Sequence, residues 1–314
     1  MVRNDIMNNK FSYFSGGIAI PFNEETEIVY SVADKLKIID SPQIDDYSRG
    51  LIFQRPDSYS ADIILCPRSE IISRGLNNSD KLCGAFDVVM NQTKVTQHGS
   101  KSQNVRGDPN KPLRYHCIGT HVIQGGGGGI TPFSAALEKT DAHTRDVVQK
   151  FVASMEHLYS AYVSYEEIEI VTKAIELVDA TTFTMPPSKS NPNPKIAKIY
   201  GAMAVGSNVF LATHTDRDFA YSVVSVQCRH ECHMNEESIL VYFAFPALGI
   251  AIPLKVGDVL FFNPNEPHCI TSRVKEIDDL YCVSLYLKSA TIGLNNNSIP
   301  LTDVQKSVLG YKKL

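Results

Sequence analysis

Two histidines and one aspartate are the residues of this chain whose types and spacing could do chemistry. His214 and Asp216 stand two positions apart in the segment His-Thr-Asp, and His268 follows in a later segment. Side chains two positions apart on an extended strand point to the same side. Two imidazoles and one carboxylate gathered in this way can occupy one face of a six-coordinate metal ion. Three positions then stay open, which is typical of non-haem Fe(II) oxygenases.

Two other interpretations of these residues are open at the level of sequence. Asp218 could supply the carboxylate in place of Asp216, although its spacing of four from His214 suits a helix better than a strand end. In a protein that binds no metal, His214 would cap a turn and His268 would hydrogen-bond a loop.

The segments that must position the three residues are predicted to be β-strands. From Lys195 onward, short apolar runs alternate with turn signals, and this spacing is typical of a sandwich or barrel. His214 ends one predicted strand and His268 lies near the start of another. The predicted strands are Ile196–Val205, Phe210–His214, Ala220–Gln227, Ser238–Pro246, Gly249–Leu254, Asp258–Asn263, Pro267–Arg273 and Leu280–Lys288.

The part of the chain before this β region is predicted to be mixed and then helical. Ser60–Cys66 and Gly84–Met90 have the short apolar runs of buried strands. Apolar residues repeat at helical spacing in Ser134–Val163 and in Tyr165–Ala180, and the prolines of Pro186–Pro194 end the helical part. We therefore expect an α+β fold in which helices buttress a C-terminal barrel.

Composition predicts a soluble intracellular protein, in the cytoplasm or nucleus. The 314 residues are 43% hydrophobic and 20% charged, with a formal net charge of −4, which argues against coating nucleic acid through bulk charge. The seven cysteines are odd in number and irregularly spaced, which favours a reducing compartment. No apolar run approaches the length of a membrane span, and the N-terminus lacks the apolar stretch of a signal peptide.

Three further segments have some of the residues of binding motifs. Residues 91–116 are polar and basic and include Lys101, Arg106 and Lys111, so they predict a long loop that is either solvated or in contact with phosphate groups. The glycines 125–129 lack the lysine of a phosphate-binding loop and are interpreted as a hinge or a close backbone crossing. The run Cys-Arg-His-Glu-Cys-His at 228–233 has no distant second ligand pair, which favours a loop over a zinc site.

The stretch between the two ligand segments resembles a known superfamily. Gly257-Asp258-Val259-Leu260-Phe261-Phe262, a turn and strand that leads to His268, is similar to the strand before the second metal histidine of Fe(II)/2-oxoglutarate-dependent dioxygenases. The segment 244–262, AFPALGIAIPLKVGDVLFF, is most similar to their TET/JBP branch, which oxidises the methyl group of thymine or 5-methylcytosine in DNA. The resemblance covers about Lys195–Ser289.

The resemblance implies a fold and a set of ligands. The fold is a double-stranded β-helix, or jelly roll, over 195–290, and His214, Asp216 and His268 are implied as iron ligands. Outside the range that the resemblance covers, we expect residues 1–130 to form a mixed N-terminal region, 131–185 the buttressing helices and 291–314 a C-terminal extension. Molecular oxygen and 2-oxoglutarate are the implied partners, with DNA as a further one.

A cation is needed to hold the far carboxylate of 2-oxoglutarate. Many members of the superfamily supply it in an Arg-x-Ser pattern on the last barrel strand, where this chain has Cys282 and Ser284. Arg273 is the favoured replacement and Lys288 the alternative; a third possibility is that 2-oxoglutarate is not the cosubstrate. Alternation along the last strand places Cys282, Ser284, Tyr286 and Lys288 on the pocket side.

Three polar residues that flank the His-Thr-Asp segment, Tyr200, Asn208 and Tyr221, are expected to touch a ligand, the first two a cofactor and the third the substrate. Lys101 and Arg106 are candidates for contact with a nucleic-acid substrate. Two other functions stay open: hydroxylation of a protein side chain or small metabolite, and a cupin-type metal-binding module without redox chemistry.

Overall fold

A computed structural model describes residues 11–14, 37–38, 50–53, 61–66, 71, 79–91, 105–107, 114–119, 121–122, 130–131, 140–163, 165–177, 197–207, 209–229, 239–271 and 280–289. The helices are α1 (Ser79–Asn91), α2 (Ala142–Tyr162) and α3 (Tyr165–Leu177). The strands of the first part are β1 (Phe11–Phe14), β2 (Lys37–Ile38), β3 (Gly50–Phe53), β4 (Ile63–Leu65), β5 (Val105–Gly107), β6 (Arg114–Gly119), β7 (His121–Val122) and β8 (Ile130–Thr131). Those of the second part are β9 (Ala202–Ser207), β10 (Val209–His214), β11 (Ser222–Cys228), β12 (Ile239–Phe245), β13 (Ile250–Lys255), β14 (Val259–Phe262), β15 (His268–Thr271) and β16 (Leu280–Tyr286).

The strands β9 to β16 form a jelly roll of two facing sheets. One sheet contains β14-β11-β16-β9 in that order and the other contains β13-β12-β15-β10, and neighbours within each run are antiparallel. The chain passes repeatedly from one sheet to the other, which is the winding of a double-stranded β-helix. The predicted α+β class with a C-terminal jelly roll is confirmed, and each of the eight predicted strands is present.

Strands from the N-terminal part complete the edges of both sheets. β4, β3 and β1 continue one sheet beyond β14, and β6 closes its other edge beside β9. β2 and β5 flank the second sheet beside β13 and β10. The segment 91–116 is therefore not one long loop, because β5 and the first residues of β6 lie in it. Their backbone groups pair with β10 and β9, so polar residues can form strands at the sheet edges.

The predicted strand Gly84–Met90 was wrong, since these residues lie in α1. The buried apolar side chains are Leu82, Cys83, Ala85, Phe86, Val89 and Met90, and the recurring spacings of three and four place them on one side of a helix. A short apolar run does not by itself separate a buried strand from a buried helical segment. The two helices predicted after it are confirmed as α2 and α3.

Two layers of apolar side chains lie on the two faces of the larger sheet. One layer packs α1, α2 and α3 against the sheet, and the other fills the space between the sheets. Along β16 the side chains of Val283 and Leu285 join the helix layer, whereas Leu280 and Cys282 join the inter-sheet layer. The predicted alternation of β16 is thereby confirmed. None of the described helices is both long and apolar enough for a membrane span.

A buried carboxylate ties α2 to the start of β9. Glu156 accepts hydrogen bonds from the backbone N–H groups of Lys198 (2.8 Å to Oε2), Ile199 (2.6 Å to Oε1) and Tyr200 (3.1 Å to Oε1). These N–H groups precede the strand and have no partner in a sheet ladder, so the carboxylate serves as their hydrogen-bond acceptor. The contact fixes the register of a helix against the sheet that carries β16.

We expect Glu156→Ala to lower the free energy of unfolding by about 3 kcal/mol or more, because buried backbone N–H groups lose their acceptor. Glu156→Gln keeps one acceptor oxygen and should cost less. The measurement is urea unfolding followed by circular dichroism. Glu169→Ala, which removes an exposed carboxylate paired with Lys173 on α3, is the control and should change stability by less than about 0.5 kcal/mol. Equal effects of Glu156→Ala and Glu169→Ala would contradict this role.

Candidate metal centre

The end of β10 and the start of β15 bring the two histidines together. The strands are antiparallel neighbours in which His214 pairs with His268 and Leu211 with Ile270. The ladder is irregular because two residues of β10, but only one of β15, lie between these pairs. Such a bulge changes the direction of the side chains that follow it. The Asp216 N–H donates to the Pro264 carbonyl (2.8 Å), which holds the turn after β10 against the turn before β15.

The three side chains converge on one small region. The Oδ2 atom of Asp216 lies 3.8 Å from Nε2 of His214 and 3.6 Å from Nε2 of His268. One ligand atom of each residue lies within 4.8 Å of the others, and the imidazole centroids are 4.4 Å apart. Neighbouring ligands around a six-coordinate ion with bonds of about 2.1 Å are about 3 Å apart. The donor set therefore needs only small adjustments to enclose a divalent metal ion.

The environment of His268 fixes which nitrogen is available. Its Nδ1 lies 2.8 Å from the Glu266 carbonyl oxygen, and because a carbonyl can only accept, Nδ1 carries the hydrogen and donates. Nε2 then presents its lone pair toward Asp216, the arrangement that metal-binding histidines need. The ring stacks on Phe243 (5.6 Å) and meets Phe262 edge-on (4.7 Å), and the residue is only 2% exposed.

Asp216 is an anion at neutral pH. Burial raises the pKa of its carboxyl, but the contact with His268 and the charge of Lys288 lower it by more, so the pKa lies well below its usual range. An ionised carboxylate between two imidazoles supplies the negative charge that a divalent cation requires. Both Asp216 and His214 are partly exposed, so small molecules can reach this side of the triad.

Asp218 belongs to a different arrangement, and the interpretation that it replaces Asp216 is wrong. It is 4% exposed, its Oδ2 accepts a hydrogen bond from the Ser222 hydroxyl (3.0 Å), and its Oδ1 lies 2.6 Å from Nζ of Lys288. Burial raises the pKa of Asp218 to about 6 against the opposing effect of Lys288. The group is therefore ionised at pH 7 and forms an ion pair rather than a fourth ligand.

Lys288 is paired with the carboxylates of Asp218 and Asp216. Besides its contact with Asp218, its Nζ lies 3.8 Å from Oδ1 of Asp216 and 4.6 Å from the centre of the Tyr286 ring. A cation already paired with two carboxylates is poorly placed to hold the far end of 2-oxoglutarate. The other cation that the sequence offers for that task, Arg273, lies outside the described residues.

Cys282 and Ser284 face the space between the sheets. Cys282 packs in the inter-sheet layer, and burial raises the pKa of its thiol to about 12, so it is neutral and supplies no cation. Ser284 is half-buried and pairs with Val224 on one side and Ala204 on the other. Val224 belongs to the inter-sheet layer, and Ser284 alternates in step with Cys282, so Ser284 lies on the inter-sheet face of β16.

The structure does not bring Tyr200 and Tyr221 to the triad, contrary to expectation. Both lie in the layer between the helices and the larger sheet. Tyr200 meets Tyr159 edge-on with centroids 5.9 Å apart, and the Tyr221 hydroxyl donates to the Ala61 carbonyl. Tyr221 is in step with Val223 of β11, whose side chain faces the helices, and Tyr200 lies in the irregular segment before β9. The sequence alone did not assign either placement.

Several predicted residues fall outside the described part of the chain. They are Lys101, Lys111, the glycines 125–129, Asn208, Arg273 and the residues 230–233 of the Cys/His run. The backbone of Arg106 is described and lies in β5, where it pairs with Phe210 of β10. Of the basic residues, Arg106 is thus placed on the strand next to the one that ends at His214.

Two features of the centre were not predicted from the sequence. One is the aromatic packing of Phe243, Phe245 and Phe262 around His268. The other is the group Asp218, Ser222 and Lys288; the sequence had singled out Asp218 as an alternative ligand and Lys288 as a pocket-side cation, but not their pairing. The isolated bridge between Asp218 and Lys288, which joins the turn after β10 to the end of β16, creates this group.

No family model matches the chain, and no curated protein sequence matches it. Among solved structures, it is similar to NgTET1 in complex with 5mC DNA, with a TM-score of 0.44, 12% identity, and coverage of 84% of this chain and 90% of that one. It is also similar to an oxidoreductase of the 2OG-Fe(II) oxygenase family from Burkholderia pseudomallei, with a TM-score of 0.34, 9% identity, and coverage of 65% and 77%. Both TM-scores are below 0.5, and at this level neither structure determines the substrate of the present chain.

We expect Mn(II), used in place of oxygen-sensitive Fe(II), to raise the melting temperature of the metal-free protein. A ligand present at a hundred times its Kd adds about 2.7 kcal/mol to the free energy of unfolding. His214→Ala, Asp216→Ala and His268→Ala should each abolish most of this shift. His157→Ala, an exposed histidine on α2, is the control and should retain it. A shift that survives all three triad substitutions would place the metal elsewhere.

Proposed function

We propose that this protein is a non-haem Fe(II)- and 2-oxoglutarate-dependent dioxygenase that oxidises a C–H bond. The convergence of His214, Asp216 and His268 at the joined ends of two jelly-roll strands carries the proposal. Among the residues that the structure describes, this is the one group of three or more His, Cys, Asp or Glu side chains able to hold a metal. A cupin-type binding module would be favoured by further histidines at the site, which the described strands do not add.

The donor set fits Fe(II). Two imidazoles and one carboxylate on one side of an ion leave three positions for a chelating cosubstrate and oxygen. When bound, Fe(II) would supply the activation of molecular oxygen that, coupled to decarboxylation of 2-oxoglutarate, oxidises a C–H bond. The aromatic rings around His268 exclude water from the inner side of the site. The partly exposed His214 and Asp216 leave the other side open to a substrate.

The proposed cosubstrate contacts come from the pocket side of β16 and from the segment after β15. Arg273 is assigned to the far carboxylate of 2-oxoglutarate, because a guanidinium can hold a carboxylate through two hydrogen bonds. Ser284 is assigned as a hydroxyl donor to the same group. The neutral thiol of Cys282 and the paired ammonium of Lys288 support this assignment by removing the competing candidates.

For the substrate, we propose the methyl group of a modified base in DNA. Support comes from the resemblance of segment 244–262 to the TET/JBP branch and from the position of β5. This strand carries Arg106 and pairs with β10, whose last residue is His214. Lys101 belongs to the same basic segment. The formal net charge of −4 instead favours the alternative substrate, a protein side chain or small metabolite.

The iron and 2-oxoglutarate proposal is tested under anaerobic conditions. Addition of Fe(II) and then 2-oxoglutarate should produce the weak visible absorption of the chelate, and admission of oxygen should release succinate. Asp216→Ala and His214→Ala should abolish both signals, whereas Arg273→Gln should weaken 2-oxoglutarate binding and leave metal binding intact. A protein that binds Fe(II) but gives no chelate band at saturating 2-oxoglutarate would refute the cosubstrate.

DNA as substrate predicts salt-dependent binding. Replacing Lys101, Arg106 and Lys111 together by Gln should weaken binding and reduce the slope of log K against log salt by about 0.9 for each phosphate that is no longer neutralised. The matched control is Arg145, Lys150 and Lys173 replaced by Gln, which removes the same charge from α2 and α3. Fluorescence anisotropy with a methylated duplex measures both. Absence of binding at low salt, or equal weakening in the two triple variants, would contradict DNA as the substrate.

A further inference from the structure

The two oxygens of the Asp216 carboxylate face different partners. Oδ2 points between the histidines, at 3.8 Å from Nε2 of His214 and 3.6 Å from Nε2 of His268. Oδ1 faces the ammonium of Lys288 at 3.8 Å. One oxygen is thus directed to the position of the metal and the other to a cation.

Lys288 is itself held firmly in this position. Its Nζ lies 2.6 Å from Oδ1 of Asp218, a carboxylate that is 4% exposed and receives the Ser222 hydroxyl. The backbone supports the same contact, because Phe219 N–H donates to the Leu287 carbonyl (2.6 Å) and Ser289 N–H donates to the Arg217 carbonyl (3.1 Å). The turn after β10 and the end of β16 are therefore joined by backbone hydrogen bonds as well as by the ion pair.

The number of carboxylate oxygens on the metal decides how many positions stay open. A carboxylate can bind a cation through one oxygen or through both. With two histidines, a carboxylate bound through one oxygen leaves three of six positions, and a carboxylate bound through both leaves two. Chelation by 2-oxoglutarate and binding of oxygen together require three.

We propose that Lys288, anchored by Asp218, is a positioning residue that keeps Oδ1 of Asp216 away from the metal and thereby preserves the third open position. This inference rests on the proposed function, since it concerns the same metal. The pair Asp218–Lys288 would then control how Asp216 binds the metal, in addition to neutralising a buried charge.

Charge gives the two members of the pair opposite effects on metal affinity. Lys288 repels a divalent cation, so Lys288→Met should bind Mn(II) more tightly, by about tenfold. Asp218→Asn removes an attractive charge and leaves Lys288 to interact with Asp216 alone, so it should bind Mn(II) more weakly. A merely structural role of the pair predicts weaker binding in both variants.

The experiment counts the water molecules on bound Mn(II) by pulsed electron paramagnetic resonance in heavy water and measures the Kd by titration of the same signal. We expect three waters in the unmodified protein and in Lys288→Arg, which restores the cation. We expect two waters in Lys288→Met and in the double variant Asp218→Asn/Lys288→Met. The double variant is included because it removes both charges of the pair, so that no buried carboxylate is left without a cation to disturb folding. Lys173→Met, which removes a 2.6 Å ion pair from the surface of α3, is the control and should keep three.

Three waters and an unchanged Kd in Lys288→Met and in the double variant would overturn the inference. Weaker Mn(II) binding in both Lys288→Met and Lys288→Arg than in the unmodified protein would also overturn it. Failure of the unmodified protein to bind Mn(II) at all would instead refute the proposed function, on which the inference rests. The two failures are thus separated by the behaviour of the unmodified protein alone.

Discussion

The antiparallel pairing of β10 with β15 is the constraint on which the candidate centre depends. It sets His214 opposite His268 in one ladder, and the hydrogen bond from Asp216 N–H to the Pro264 carbonyl adds the third residue from the same side. A ladder allows displacement only in whole residues, and a shift by one residue would turn His268 to the other face of the sheet. The ligand geometry is therefore set by backbone hydrogen bonds, and side-chain packing around His268 only refines it.

Buried charge is used at two places in the fold with different results. Glu156 lies among backbone N–H groups that stabilise its negative charge and fix α2 to the start of β9. Asp218 has a side-chain partner, the ammonium of Lys288, which also faces Asp216. The first charge secures the register of a helix, whereas the second links the last strand of the jelly roll to the residues that surround the metal position.

Much of the fold was predictable from sequence because turn residues separate the strands of the jelly roll clearly and the helical periodicity of α2 and α3 is long. The triad was predictable for the same reason, since His214 and His268 fall at predicted strand ends. The helix that contains Gly84–Met90 was not predictable, because an apolar run that short does not distinguish the period of a helix from that of a strand. The packing of Tyr200 and Tyr221 against the helices and the ion pair of Lys288 depend on long-range contacts. Sequence spacing does not encode the bridge that joins Asp218 to Lys288.

The wide separation of the triad along the chain has a consequence for folding. His214 and His268 enclose β11 to β14, so strands from both sheets belong to the loop that a metal ion bound by the triad would close. Such an ion would act as a cross-link and restrict the unfolded chain much as a disulfide does, by about 4 kcal/mol for a loop of this length in a chain-entropy treatment. Loss of the metal would then loosen the whole jelly roll, and the state of the centre would be detectable in the proteolytic resistance of strands far from it.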